Sequence, residues 1–110
     1  MYDGTMMEYL KRYHTGEINA VSSKELALTF EMPRREVCHM IKTLRREAAA
    51  PIGSCRKGYF YAAAKGELEN TVFRMRRQIT GIKKTVGGLN AAIYGSYESH
   101  RHANWERSER

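Results

Sequence analysis

Eight apolar residues, Leu68, Val72, Met75, Ile79, Ile82, Val86, Leu89 and Ile93, follow one another at spacings of 4, 3, 4, 3, 4, 3 and 4. A run of this kind is the seam of a coiled coil rather than the wide apolar face of a helix laid on a globular core. With Val72, Ile79, Val86 and Ile93 at the a positions, Leu68, Met75, Ile82 and Leu89 fall at d. β-Branched residues at a with mostly Leu or Met at d favour a parallel two-stranded coil, Ile82 being the one exception. A helix from Lys65 to Ile93 would run roughly 44 Å at 1.5 Å per residue. The repeat thus predicts a long C-terminal helix over residues 65–94 that makes the chain a homodimer.

Two features act against that pairing. Gly81, Gly87 and Gly88 lie in the segment, and each costs roughly 1 kcal/mol relative to alanine. The flanking e positions (Glu69, Arg76, Lys83, Asn90) and g positions (Thr71, Gln78, Thr85, Ala92) carry no complementary set of charges. Orientation is therefore open: a parallel pair, an antiparallel pair, or a helix folded back on its own head.

Ahead of this segment, residues 1–64 hold short periodic stretches separated by turn signals. Thr5 precedes Glu8 at capping-box spacing, Met6, Met7, Leu10 and Tyr13 recur at helical spacing, and Gly16 stops the run. Asn19-Ala20-Val21 reads as a minimal strand. Ser22 with Glu25 repeats the capping-box spacing, and Leu26, Ala27 and Phe30 supply the inner face of a second helix. Pro33 is expected at the first position of a third helix, whose inner face is Val37, Met40, Ile41 and Leu44. Arg34, Arg35, Cys38, His39, Lys42, Arg45 and Arg46 occupy its other face. The period then changes: Ile52–Cys55 and Tyr59–Ala62 read as strands around Arg56-Lys57-Gly58, a hairpin signal. The expected fold is mainly α with one small β-hairpin.

Charge is concentrated on those last elements. The 110 residues carry 19 Lys and Arg against 12 Asp and Glu, a net +7, which favours a polyanionic partner. Between residues 34 and 57 seven cations stand against Glu36 and Glu47, so this stretch alone is +5. Two helices about three residues apart, the second basic outside, match a helix-turn-helix that presents its second helix to the major groove.

Val21-Ser22-Ser23-Lys24-Glu25-Leu26-Ala27, Pro33-Arg34-Arg35-Glu36-Val37, Ile41-Lys42-Thr43-Leu44-Arg45-Arg46-Glu47 and Arg56-Lys57-Gly58-Tyr59 together resemble the winged helix-turn-helix of bacterial transcription regulators. The DNA-binding head of the biotin operon repressor belongs to that group. The resemblance covers roughly residues 5–64 and implies double-stranded DNA binding through the third helix and a wing near Arg56 and Lys57. On this reading Arg34, Arg35, His39 and Lys42 meet the groove, while Arg45, Arg46, Arg56 and Lys57 meet phosphates. No ligand-binding or catalytic domain follows, so effector sensing is not implied.

Other chemistry finds little footing. Cys38 and Cys55 are seventeen positions apart and read as small hydrophobes in a reducing compartment. His100 and His102 lack a cysteine nearby to complete a metal site. No nucleophile triad or phosphate loop is present, and a head of this length has little room for a deep pocket. The expectation is no enzyme, no metal and no cofactor. Nothing approaches the roughly 18 apolar residues of a membrane span, and no leader resembles a signal peptide, so the chain reads as cytoplasmic. Arg74, Arg76, Arg77, Lys83 and Lys84 fall outside the seam, where they are solvated or touch flanking phosphates or an acidic partner. Residues 95–110 are polar and expected to be flexible, with Trp105 as an anchor ordered on contact. A second functional expectation, by analogy with short basic proteins of phages and other mobile elements, is an adaptor or inhibitor that docks on a host nucleoprotein machine.

Overall fold

The computed structural model describes residues 4–98, so His100, His102, Trp105 and most of the polar C-terminal stretch lie outside the described residues. Helix α1 (Met6–Tyr13) opens with the complete capping box: the Thr5 hydroxyl accepts from the Glu8 N–H and the Glu8 carboxylate from the Thr5 N–H. Helix α2 (Ser23–Phe30) begins on Ser22, whose hydroxyl accepts from the Glu25 N–H. It ends at Glu31 in the left-handed conformation, and the Met32 N–H reaches back to the Ala27 carbonyl, the closure that terminates many helices.

Helix α3 (Arg34–Ala48) follows after a three-residue turn. Pro33 stands one position earlier than expected, as the extended cap rather than the first helical residue, with its carbonyl accepting from the Glu36 and Val37 N–H groups. Its ψ of 150 is extended, so helical dihedrals begin only at Arg34, and the N–H that proline lacks has no helical partner at either position. Ala49 ends α3 at φ 50.

Strands β1 (Ile52–Cys55) and β2 (Gly58–Tyr61) form an antiparallel hairpin in the register Gly53↔Phe60 and Cys55↔Gly58. Arg56 and Lys57 make the turn, and the left-handed step falls on Gly58 at φ 138. The far edge of β2 is also paired: Val21 and Tyr59 exchange both backbone bonds at 2.8 Å, and Tyr61 donates to His14 and accepts from Gly16. The strand expected at residues 19–21 is thus reduced to a single pair at Val21. A 3-10 turn at Glu17–Asn19 and the cap at Ser22 leave it no further length.

The core is made by one face of each element. Met6, Leu10, Val21, Leu26, Phe30, Val37, Ile41, Ala50, Ile52 and Phe60 are buried. Phe60 lies across Gly53, where a Cβ would run into its Cζ, so the small residue makes room for the largest fully buried side chain.

Helix α4 (Lys65–Ala92) is continuous, and Ile93–Glu98 carry on as a wider π-helical turn. Two compact bodies divide the chain, one ending at Phe73 and one beginning at Arg74. The first includes the opening turns of α4. The Glu67 carboxylate there accepts from the Glu17 N–H at 2.9 Å and the Ala63 N–H at 2.7 Å, and these donors hold its carboxyl below the usual carboxylate range. Thr71 is 5% exposed. Its hydroxyl accepts from the Ser54 N–H at 3.1 Å and lies 3.2 Å from the Glu67 carbonyl.

The three glycines do not interrupt α4, and a Cβ at Gly81, Gly87 or Gly88 meets nothing within 4 Å. Their cost is one of backbone freedom alone. Gly87→Ala with Gly88→Ala is therefore expected to stabilise the helix by about 1 kcal/mol per substitution, read as added helical signal in far-UV circular dichroism; a loss of signal would show that the glycines serve a contact.

Candidate nucleic-acid interface

Helix α3 separates its cations by angle. At about 100° per residue, Arg35, His39, Lys42 and Arg46 fall within about 60° of one another, on the side away from Val37, Ile41 and Leu44. All four are exposed, whereas Val37 and Ile41 are buried and Leu44 half-buried. Glu36 and Glu47 stand about 90–110° to one side of this row, so no carboxylate interrupts it. Among the described residues, Arg35, Lys42, Arg46, Arg56 and Lys57 form no ion pair. Charge in the row is available to an external anion.

The other flank of α3, about 70–110° from the row, carries Arg34, Cys38 and Arg45, and here the expected site divides. Arg45 is half-buried. Its Nε donates to the Ile52 carbonyl at 2.9 Å, and its guanidinium stands 5.7 Å from the centre of the Tyr59 ring. It joins α3 to the hairpin rather than standing among the outward cations. Arg34 is exposed but its Nε donates to the Ser23 hydroxyl at 3.1 Å, bracing α3 on the start of α2. Arg56 and Lys57 are exposed at the hairpin turn.

Tyr59, not singled out by the sequence reading, completes this joint. Its hydroxyl donates to Cys38 Sγ at 3.5 Å, and burial followed by the Cys38 contact pushes its phenol above the usual value. The missed signal was angular: Cys38 and Arg45 are seven residues apart, hence on one helix line, and that line differs from the one through Arg35 and Lys42.

Arg45→Ala is expected to lower head stability by about 1–3 kcal/mol, since it removes a charged donor and leaves a half-buried carbonyl unmet. Arg46→Ala should stay within about 0.5 kcal/mol. Urea denaturation of the two variants checks this; equal midpoints would remove Arg45 from the joint.

On α4 the eight seam residues are not alike. Leu68 is half-buried, while Val72, Met75, Ile79, Ile82, Val86, Leu89 and Ile93 are 37–64% exposed. Ile93 begins the π-helical turn, so the α-helical seam ends at Leu89. Wider winding changes the angle gained per residue and breaks a seven-residue phase. The residue of this helix that the first body does bury is Thr71, a flanking position. Among the described residues no group of His, Cys, Asp and Glu could hold a metal ion, and no helix is long and apolar enough to cross a membrane.

Comparison with protein-family models, curated proteins and solved structures gives no match.

Proposed function

We propose that the chain is a sequence-specific double-stranded DNA-binding protein that works as a small homodimeric transcription regulator. In this reading α1–α3 and the hairpin act as a winged helix-turn-helix. Helix α2 braces α3, α3 enters the major groove, and the hairpin turn is the wing. The observation that carries the reading is the row Arg35, His39, Lys42 and Arg46: exposed, free of ion pairs among the described residues, and backed by Val37 and Ile41 in the core. Its N-terminal members face base edges, where bidentate cationic contacts to guanine discriminate sequence. Arg46, Arg56 and Lys57 neutralise phosphates, which position without specifying. No catalytic residue, metal or cofactor enters the mechanism.

Selection of bound duplexes from a random pool tests it, followed by titration across salt. The expected result is a two-fold symmetric motif with half-site centres about 34 Å apart. Log affinity should fall against log salt by about 0.9 per phosphate neutralised. Absence of duplex binding at low salt would overturn the reading. The exposed apolar row of α4 favours a second one, an adaptor that docks on a host nucleoprotein machine. A stoichiometric protein retained from lysate after nuclease treatment, without duplex selection, would support it.

A further inference from the structure

Beyond Phe73 every α4 side chain is exposed, including five apolar residues of the seam, and Ile93 just after it is exposed too. A helix in water with three glycines and no packed face is marginal, and a contiguous apolar row of that length marks an interaction surface. Its charge is one-sided. The sequence places Arg74, Arg76, Arg77, Lys83 and Lys84 there and no acidic residue between Asn70 and Tyr97.

We infer that the seam is covered by a second copy of this chain, aligned in parallel and in register, so that both heads sit at the same end. This deepens the homodimer proposed above and rests on that reading. The flanking residues decide the orientation. In a parallel pair each g residue meets the e residue five positions further along the partner. Gln78 then faces the partner's Lys83 and Thr85 the partner's Asn90, while Thr71, buried against Ser54 in its own head, sets no charge opposite the partner's Arg76. Lys83 thus meets a neutral group that can accept a hydrogen bond from it, and no cation opposes another across the flanks.

An antiparallel pair with full overlap sets e against e. Arg76 then opposes the partner's Lys83 twice over, a like-charge contact that disfavours the arrangement. Sliding that pair by one heptad brings Glu69 to the partner's Lys83. It also sets Arg76 on the partner's Arg76 and leaves Leu89 and Ile93 uncovered. Branched Val72, Ile79 and Val86 at a suit the parallel two-stranded geometry. Gly81, Gly87 and Gly88 fall at the outer b and c positions, where a missing side chain costs the interface nothing.

The test uses the full chain with Leu89→Cys, left to oxidise in a glutathione buffer beside the unsubstituted chain, which controls for Cys38 and Cys55. Sedimentation gives the oligomeric state, and peptide mapping locates the crosslink. A dimer joined through position 89 on both chains is the expected result. In the fully overlapped antiparallel pair position 89 faces Val72, about 25 Å along the helix from its counterpart, and no such link can form. A dimer without it therefore overturns the orientation while leaving the homodimeric regulator standing. A monomer at all concentrations overturns self-association itself. Duplex binding by either species is scored separately and bears on the head.

Discussion

Gly58→Ala is expected to abolish the cooperative thermal transition of the head. Gly58 has φ 138, and a Cβ there would run into the Val21 carbonyl and stand 2.8 Å from Ser22 Cα. Neither neighbour can retreat cheaply. Val21 is held to Tyr59 by two backbone bonds and is buried in the core, and Ser22 is the cap of α2. Strain at such a position costs about 1–3 kcal/mol. Loss of both Val21–Tyr59 bonds adds about 0.5–1.5 kcal/mol each. The sum approaches the about 4–10 kcal/mol available to a body of roughly 70 residues. Far-UV circular dichroism against temperature checks this. A melt unchanged from the parent would mean that the hairpin reaches its place without the left-handed step.

The second large effect belongs to binding. Arg35→Ala with Lys42→Ala should weaken duplex affinity by about 30-fold to about 10⁴-fold, taking about 1–3 kcal/mol for each base-directed contact. The thermal transition should not move, because neither side chain touches the core. Anisotropy titrations on selected and scrambled duplexes separate the two roles a cation can have. Loss of preference identifies a base contact. Uniform weakening, with the salt slope reduced by about 0.9 per residue, identifies a phosphate contact. Affinity equal to the parent's would remove the α3 row from the interface and leave the proposed function without its carrying observation.

Much of the fold could be read from local signals because those signals are local physics. Thr5 and Ser22 cap helices through hydrogen bonds made within three residues. The change from period 3.6 to period 2 after Pro51 marks the hairpin. The core positions Leu26, Val37 and Ile41 follow from periodicity alone. What escaped depends on neighbours distant in sequence. Arg45 belongs to a basic-looking face, yet the Ile52 carbonyl and the Tyr59 ring draw it inward, and no periodicity in α3 specifies where the hairpin will lie. Thr71 is a polar residue on a polar flank, buried only because Ser54 comes to it across seventeen positions. The left-handed residues Glu31 and Ala49 carry no glycine to announce them. Of the expected site, Arg35, His39, Lys42 and Arg46 form one exposed row, Arg56 and Lys57 stand exposed at the hairpin turn, and Arg34 and Arg45 serve in part to hold α3 in place.

The hydroxyl of Thr71 also marks a boundary in folding cooperativity. Between Thr5 and that point, amides bonded within the helices and hairpin of the head are backed by one core and are expected to exchange mainly as that core comes apart. Amides of α4 beyond it draw no protection from the core, and in a lone chain they open as a free helix frays, at almost no cost. Any slowing of hydrogen exchange there is contributed entirely by whatever covers the seam. Exchange along α4 is thus a built-in gauge of association, with the head as its internal reference.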